Sequence, residues 1–255
     1  MIFISQHYDE SVRNLERLKK KPLLSKIYSS FYQLIAQSLY RNTNGHIVEL
    51  GSGIGNIKDV IPECLCTDIF LHAGVDQIEN VYQLSFQDES VSNLVLFDVF
   101  HHLRYPGTAL HEWQRVLTRS GRIIMVEPCL SLLGLLVYGV FHSESLGLNM
   151  PIEWFTPLDW RPDEIDYYAS QANAYRIFVQ KKYWDSLMGW RVISVKKMSA
   201  ISYVASGGYS KPQFYPSMML PVMKLIDRVC DLFPSVFATR MIIVLEKSCE
   251  SKVCN

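Results

Sequence analysis

Apolar positions along this chain fall into two patterns. Ile27, Phe31, Leu34, Ile35 and Leu39 recur at the spacing of one helix face, and residues 8–40 read as helical. Short apolar runs follow at about 46–50, 64–69, 78–82, 93–98 and 121–127, with two more at 190–195 and 240–246. Each has the length and composition of a strand. Strands that alternate with longer segments predict an α/β chain with a doubly wound sheet.

The first run leads into the most informative segment. His46, Ile47 and Val48 precede Glu49, and glycines then stand at 51, 53 and 55 around Ser52. Glycine at such positions lets the backbone pass close to a ligand. Residues 57–61 read as the opening of a helix. Strand, glycine turn and helix form the unit that binds nucleotide-like ligands in doubly wound sheets. A dinucleotide fingerprint would place its third glycine at position 56, where this chain has Asn56. The G-x-G-x-G spacing suits an amino-acid group and a ribose better than a pyrophosphate. A nicotinamide-dependent reductase is the runner-up, disfavoured by Asn56. A noncatalytic adenosine-binding module is the alternative outside enzymes. Asp68 follows Gly51 by 17 residues and ends the second strand, where a carboxylate accepts both ribose hydroxyls. A solvated strand-end aspartate is the plainer reading.

The segment from Glu49 to Gly55 resembles motif I of the class I S-adenosylmethionine-dependent methyltransferases. A second block strengthens the likeness. Leu84-Ser85-Phe86-Gln87-Asp88-Glu89-Ser90-Val91 is followed by Asp98 and His101-His102-Leu103, then Arg115-Val116-Leu117, Ser120-Gly121 and Glu127-Pro128. This order is similar to the small-molecule methyltransferases grouped with ubiquinone and menaquinone biosynthesis (type 11). The resemblance spans about residues 44–128. Ser85, Ser92-Asn93 and Ser120-Gly121 depart from the usual proline, Phe-Asp and Gly-Gly. It implies a Rossmann-like sheet of seven strands in order 3-2-1-4-5-7-6 with the last strand antiparallel. It implies S-adenosyl-L-methionine as cofactor, held by Glu49, Gly51, Ser52, Gly53, Gly55, Asp68, Asn80, Val81 and Asp98. It also implies a reacting end at Asp98 and His101.

Methyl transfer from a sulfonium is largely a matter of alignment, but a hydroxyl acceptor must also lose its proton. His101 is the expected base and His102 the expected packing residue. Glu127, Tyr138 and His142 are further polar options. No metal constellation is legible, and the six cysteines lack C-x-x-C pairs. Cys64, Cys66 and Cys230 read as small buried hydrophobes, and Cys249 and Cys254 lie in a polar tail.

Composition narrows the class. Lys and Arg together number 25 and so do Asp and Glu, for zero formal net charge. Nucleic acid is therefore not the expected substrate, since phosphate binding needs a basic surplus. Lys19–Lys21 reads as a solvated helix end. Free cysteines and an N-terminus without a charged, apolar leader predict a reducing, cytoplasmic setting.

One methyltransferase domain over residues 1–255 is expected. Helices occupy 1–43, the cofactor core 44–128, cap insertions 129–189 and 199–238, and terminal strands 190–198 and 239–247. Segment 129–141 is too short to span a bilayer and reads as a buried helix. Both insertions are apolar, and the charges near the expected mouth are few: Glu144, Glu153, Asp159 and Arg161. That favours a small apolar or amphipathic acceptor, such as a quinone, an isoprenoid or a lipid-linked sugar, with peripheral membrane contact. A monomer or homodimer is expected.

Overall fold

The computed structural model describes residues 13–14, 16–163 and 167–248. Its centre is a seven-stranded sheet in the order β3-β2-β1-β4-β5-β7-β6. The strands are β1 (His46–Leu50), β2 (Leu65–Asp68), β3 (Gln77–Ile78), β4 (Val91–Phe97), β5 (Leu117–Pro128), β6 (Trp190–Met198) and β7 (Arg240–Lys247). Strand β7 runs antiparallel to both β5 and β6, and β1 to β5 pair in parallel. The order and the antiparallel strand match the expectation.

Strand periodicity explains the two layers. All seven residues of β4 are buried. Leu94 and Leu96 face one core with Val48, Leu50, Ile123 and Met125, while Val95 and Phe97 face the other with Ile47, Ile124 and Val126. Helix α1 (Pro22–Ser38) covers the second face with Ile27, Phe31 and Ile35, the positions its sequence periodicity marks. Helix α2 (Pro106–Val116) covers the first with Leu110 and Trp113. The expected helical residues 8–12 lie outside the described residues.

Three elements depart from the sequence reading. The segment after the glycine turn forms only a 3-10 turn, Asn56–Asp59, because Pro62 lacks an N–H and keeps Ile61 out of the α region. Strand β3 has two residues rather than the expected 78–82. The Asn80 side chain accepts the Tyr82 N–H at 3.0 Å and folds the chain into a turn that ends the strand. Cys230 is half-buried rather than core, although Cys64 and Cys66 are buried.

The largest departure is in the cap. Helix α3 (Leu132–Val140) buries only Gly134 and Tyr138, and Leu132, Leu136 and Val140 are exposed. The short helix α4 (Ile201–Ala205) packs against α5 (Leu220–Cys230). In α5 the residue turned inward is Asp227, whose carboxylate takes the Ser202 N–H at 2.9 Å and the Ser202 hydroxyl. That polar anchor rotates Val222, Leu225 and Val229 outward. Helix α6 (Pro234–Phe237) packs against α3 and follows α5 closely in the chain. None of the described helices is long and apolar enough to cross a membrane.

Candidate active site

The carboxyl ends of β1, β4 and β5 open into a cavity of about 310 Å³, within the range of small-molecule sites. Gly51, Ser52, Gly53 and Asn56 line one end. Asp98, His101 and His102 line the other, with Tyr138, His142, Glu144 and Gln171 from the cap.

The glycines of the turn have different duties. All three have positive φ: 68° at Gly51, 54° at Gly53 and 69° at Gly55. A Cβ on Gly55 would lie 2.3 Å from the Gly74 carbonyl oxygen, so that glycine serves packing. A Cβ on Gly53 would meet no atom within 4 Å. Its open side is the cavity, and a side chain there would take ligand space. Asp68 braces the turn from behind, its Oδ2 accepting the Gly53 N–H at 3.0 Å.

Glu49 lies beneath the turn at 1% exposure. Tyr32, from α1, donates its hydroxyl to Glu49 Oε1 at 2.8 Å. Oε2 is buried and has no hydrogen-bond partner among the described residues. Burial pushes this carboxyl up to about 8, against the lowering effect of the Tyr32 hydroxyl. Buried polar atoms are usually hydrogen-bonded, and Glu49 Oε2 beneath the turn is an exception.

At the opposite end, Asp98 sits at a φ of 57° and is paired with Arg240, the first residue of β7. The Arg240 guanidinium is buried and lies 4.7 Å from the Tyr203 ring centroid. Tyr28 joins Tyr203 and Tyr209 in an aromatic wall, with centroids 6.0 and 5.4 Å away.

His101 stands in the 3-10 turn Phe100–His102. Its Nδ1 donates to Glu127 Oε2 at 2.7 Å, and its Nε2 lies 3.5 Å from Glu144 Oε2. Glu127 Oε1 accepts the backbone N–H groups of Val99 (3.0 Å) and Phe100 (2.7 Å). Burial disfavours a charged ring, but the carboxylates of Glu127 and Glu144 prevail and push His101 up to about 10. The sequence reading expects His101 as base; the structure places its ring in the cavity wall with Nδ1 held by Glu127. His102, expected to pack, is the more exposed of the two and reaches the cavity. Its Nδ1 donates to the Tyr168 carbonyl at 2.9 Å. Burial, then the neighbouring His101, pushes it down to about 4.

The structure thus brings Gly51, Ser52, Gly53, Asp98 and His101 to one cavity, with Glu49 directly behind it. Asp68 and Gly55 support the turn from outside the lining. Asn80 and Val81 do not reach the wall. Asn80 Nδ2 donates to the Pro162 carbonyl at 2.8 Å, and the Val81 carbonyl accepts from Trp113 Nε1 at 2.9 Å. Sequence reasoning missed Tyr28, Tyr32, Gln171, Tyr203, Tyr209 and Arg240. Tyr28 and Tyr32 stand at helical spacing beside the α1 core positions, a signal that was available. The others come from separate elements with no shared motif.

Residues 49–125 match the family model described as a methyltransferase domain. No curated protein sequence matches the chain significantly. Among solved structures, a chain from the complex of the Haloferax volcanii Trm112 methyltransferase activator with a methyltransferase is similar at TM-score 0.54 and 11% identity, covering 96% of this chain and 97% of that one. A SAM-dependent methyltransferase from Archaeoglobus fulgidus matches at TM-score 0.50 and 13% identity, covering 88% and 94%. Geranyl diphosphate C-methyltransferase from Streptomyces coelicolor matches at TM-score 0.50 and 10% identity, covering 86% and 76%. Residues 49–125 thus match a methyltransferase-domain model, and the chain has the fold of the class I S-adenosylmethionine-dependent methyltransferases. The site fits that cofactor: the turn leaves open space at Gly53, and Glu49 Oε2 lacks a donor.

Proposed function

We propose that this chain transfers a methyl group from S-adenosylmethionine to oxygen or carbon of a small, apolar or lipid-linked acceptor. The observation that carries this reading is a single cavity joining the glycine turn to the Asp98–His101 end. S-adenosylmethionine supplies an electrophilic methyl on a sulfonium. Gly51, Ser52 and Gly53 hold the backbone open for it, and Glu49 offers its free oxygen to a cationic or hydroxyl donor. Asp68 keeps the turn in shape by holding the Gly53 N–H. Asp98 and the tyrosine wall favour positive charge at the reacting end, and Arg240 keeps Asp98 aimed there. His101, fixed by Glu127, shapes the acceptor end.

The apolar acceptor is supported by the outward faces of α3 and α5. The inner side of α3 gives Tyr138 to the cavity, while Leu132, Leu136 and Val140 point to solvent. A lipid surface against those faces would put an amphipathic acceptor beside the cavity mouth, where burial contributes about 25 cal/mol per Å².

The test is incubation of the purified chain with methyl-labelled S-adenosylmethionine and pools of polar metabolites and lipid extracts. The expected result is label in a lipid-extractable product. Label confined to water-soluble, charged products would overturn the acceptor assignment. No label in any pool, despite cofactor binding, would favour the noncatalytic adenosine-binding module.

A further inference from the structure

We propose that His101, His102 and Glu144 form a site for a divalent transition-metal ion at the acceptor end of the cavity. Each of the three offers a ligand atom within 4.8 Å of the other two. His101 Nε2 lies 3.5 Å from Glu144 Oε2, and His102 Nε2 lies 3.8 Å from Glu144 Oε1. Metal bonds of about 2.0–2.2 Å bring neighbouring ligand atoms to roughly 3.0–3.6 Å, so a small inward movement closes the site.

Both rings are already oriented as metal ligands are. Each gives its Nδ1 proton to an outer partner: His101 to the Glu127 carboxylate, His102 to the Tyr168 carbonyl. This is how outer hydrogen bonds fix the tautomer of a ligating histidine. It turns Nε2 of both rings toward one carboxylate.

A contact between His101 and Glu144 accounts for those two side chains but not for the rest of the cluster. With its Nδ1 held by the Tyr168 carbonyl, His102 turns Nε2 toward Glu144 Oε1, 3.8 Å away. Gln171 stands beside them. It is 1% exposed, lines the cavity and gives its amide N–H to Glu144, yet its Oε1 has no partner among the described residues. Two ring nitrogens fixed by outer partners and turned on one carboxylate form the donor set of a cation site. Two imidazoles and one carboxylate select a borderline ion such as Zn²⁺, Fe²⁺ or Co²⁺ and leave coordination positions open.

The open positions face the cavity, and their use rests on the methyltransferase reading. An acceptor hydroxyl, enol or phenol bound there loses its proton to water. The oxygen lone pair then forms the bond to the methyl carbon as the carbon–sulfur bond breaks. That electron pair returns to sulfur, which leaves as the neutral thioether. The ion eases that proton loss by lowering the hydroxyl pKa. The site favours an oxygen acceptor over carbon.

The experiment titrates the full-length, chelator-stripped chain with Co²⁺ alone, following visible d–d absorption and calorimetric heat. Glu144→Ala and His102→Gln are measured beside the wild type, with circular dichroism and melting temperature as checks on folding. One Co²⁺ per chain is expected, weakened at least tenfold in each folded variant. Excess Zn²⁺ should displace it and bleach the spectrum. Absence of stoichiometric binding, or equal affinity in the wild type and a folded variant, would overturn the site. S-adenosylhomocysteine binding is measured on the same sample. Cofactor binding without Co²⁺ defeats the metal site alone, and Co²⁺ binding without cofactor defeats the methyltransferase reading alone.

Discussion

His101 gives its Nδ1 proton to Glu127 over 2.7 Å, which joins the turn after β4 to the end of β5. Glu127 is fully buried and also holds the N–H groups of Val99 and Phe100. Replacing it with Gln removes the charge and points an amide N–H₂ at donors. Breaking a buried pair from one side costs about 3 kcal/mol or more. Urea unfolding of Glu127→Gln should show that loss in the midpoint with little change in slope.

Much of this framework is legible in the sequence because its signals are local. The run from His46 to Leu50 gives β1 to the residue, and the glycines at 51, 53 and 55 give the turn. Asp98 and His101 were visible because strand ends are ligand edges in such sheets. Arg240 was not. It lies 142 positions from its partner Asp98, and only sheet topology brings β7 to the site. The outward apolar faces were missed for a related reason. A helix pattern gives the spacing of apolar residues but not the direction of the stripe, and in α5 Asp227 decides that direction through Ser202. The meeting of His101, His102 and Glu144 was hidden because Glu144 reads as a lone charge in an apolar insertion.

Glu49 sets a pH dependence. The folded state keeps its proton up to about 8, whereas an ordinary glutamate releases it near 4.5. Between those values the folded state binds more protons than the unfolded chain, so this group's contribution falls as pH rises. Glu49→Gln should therefore gain stability relative to the wild type from pH 5 to pH 8. Denaturant midpoints of both proteins across that range check it; a constant difference would contradict the buried, protonated Glu49.

The two glycine roles separate on mutation. Gly55→Ala forces a Cβ against the Gly74 carbonyl in a left-handed conformation and should destabilise by about 2 kcal/mol or more. Gly53→Ala carries only the conformational cost of about 1–2 kcal/mol, because its Cβ enters open space. Thermal melts of the two variants should rank them in that order.

The exposed helix faces predict vesicle binding. Leu136 on α3 and Leu225 on α5 are both exposed. The double variant Leu136→Glu/Leu225→Glu should lose most co-sedimentation with lipid vesicles, while its stability changes by about 1 kcal/mol or less, as for surface substitutions. Equal sedimentation of both proteins would remove the membrane contact.

The central claim is that the glycine turn and the β4 end form one S-adenosylmethionine site. Calorimetric titration of the wild type and Gly53→Val with S-adenosylhomocysteine, and in parallel with NADH, tests it most directly. The account predicts one-to-one binding of S-adenosylhomocysteine by the wild type, at least tenfold weaker binding by a folded Gly53→Val, and no NADH binding. Preferential NADH binding, or equal S-adenosylhomocysteine affinity in both proteins, would contradict it.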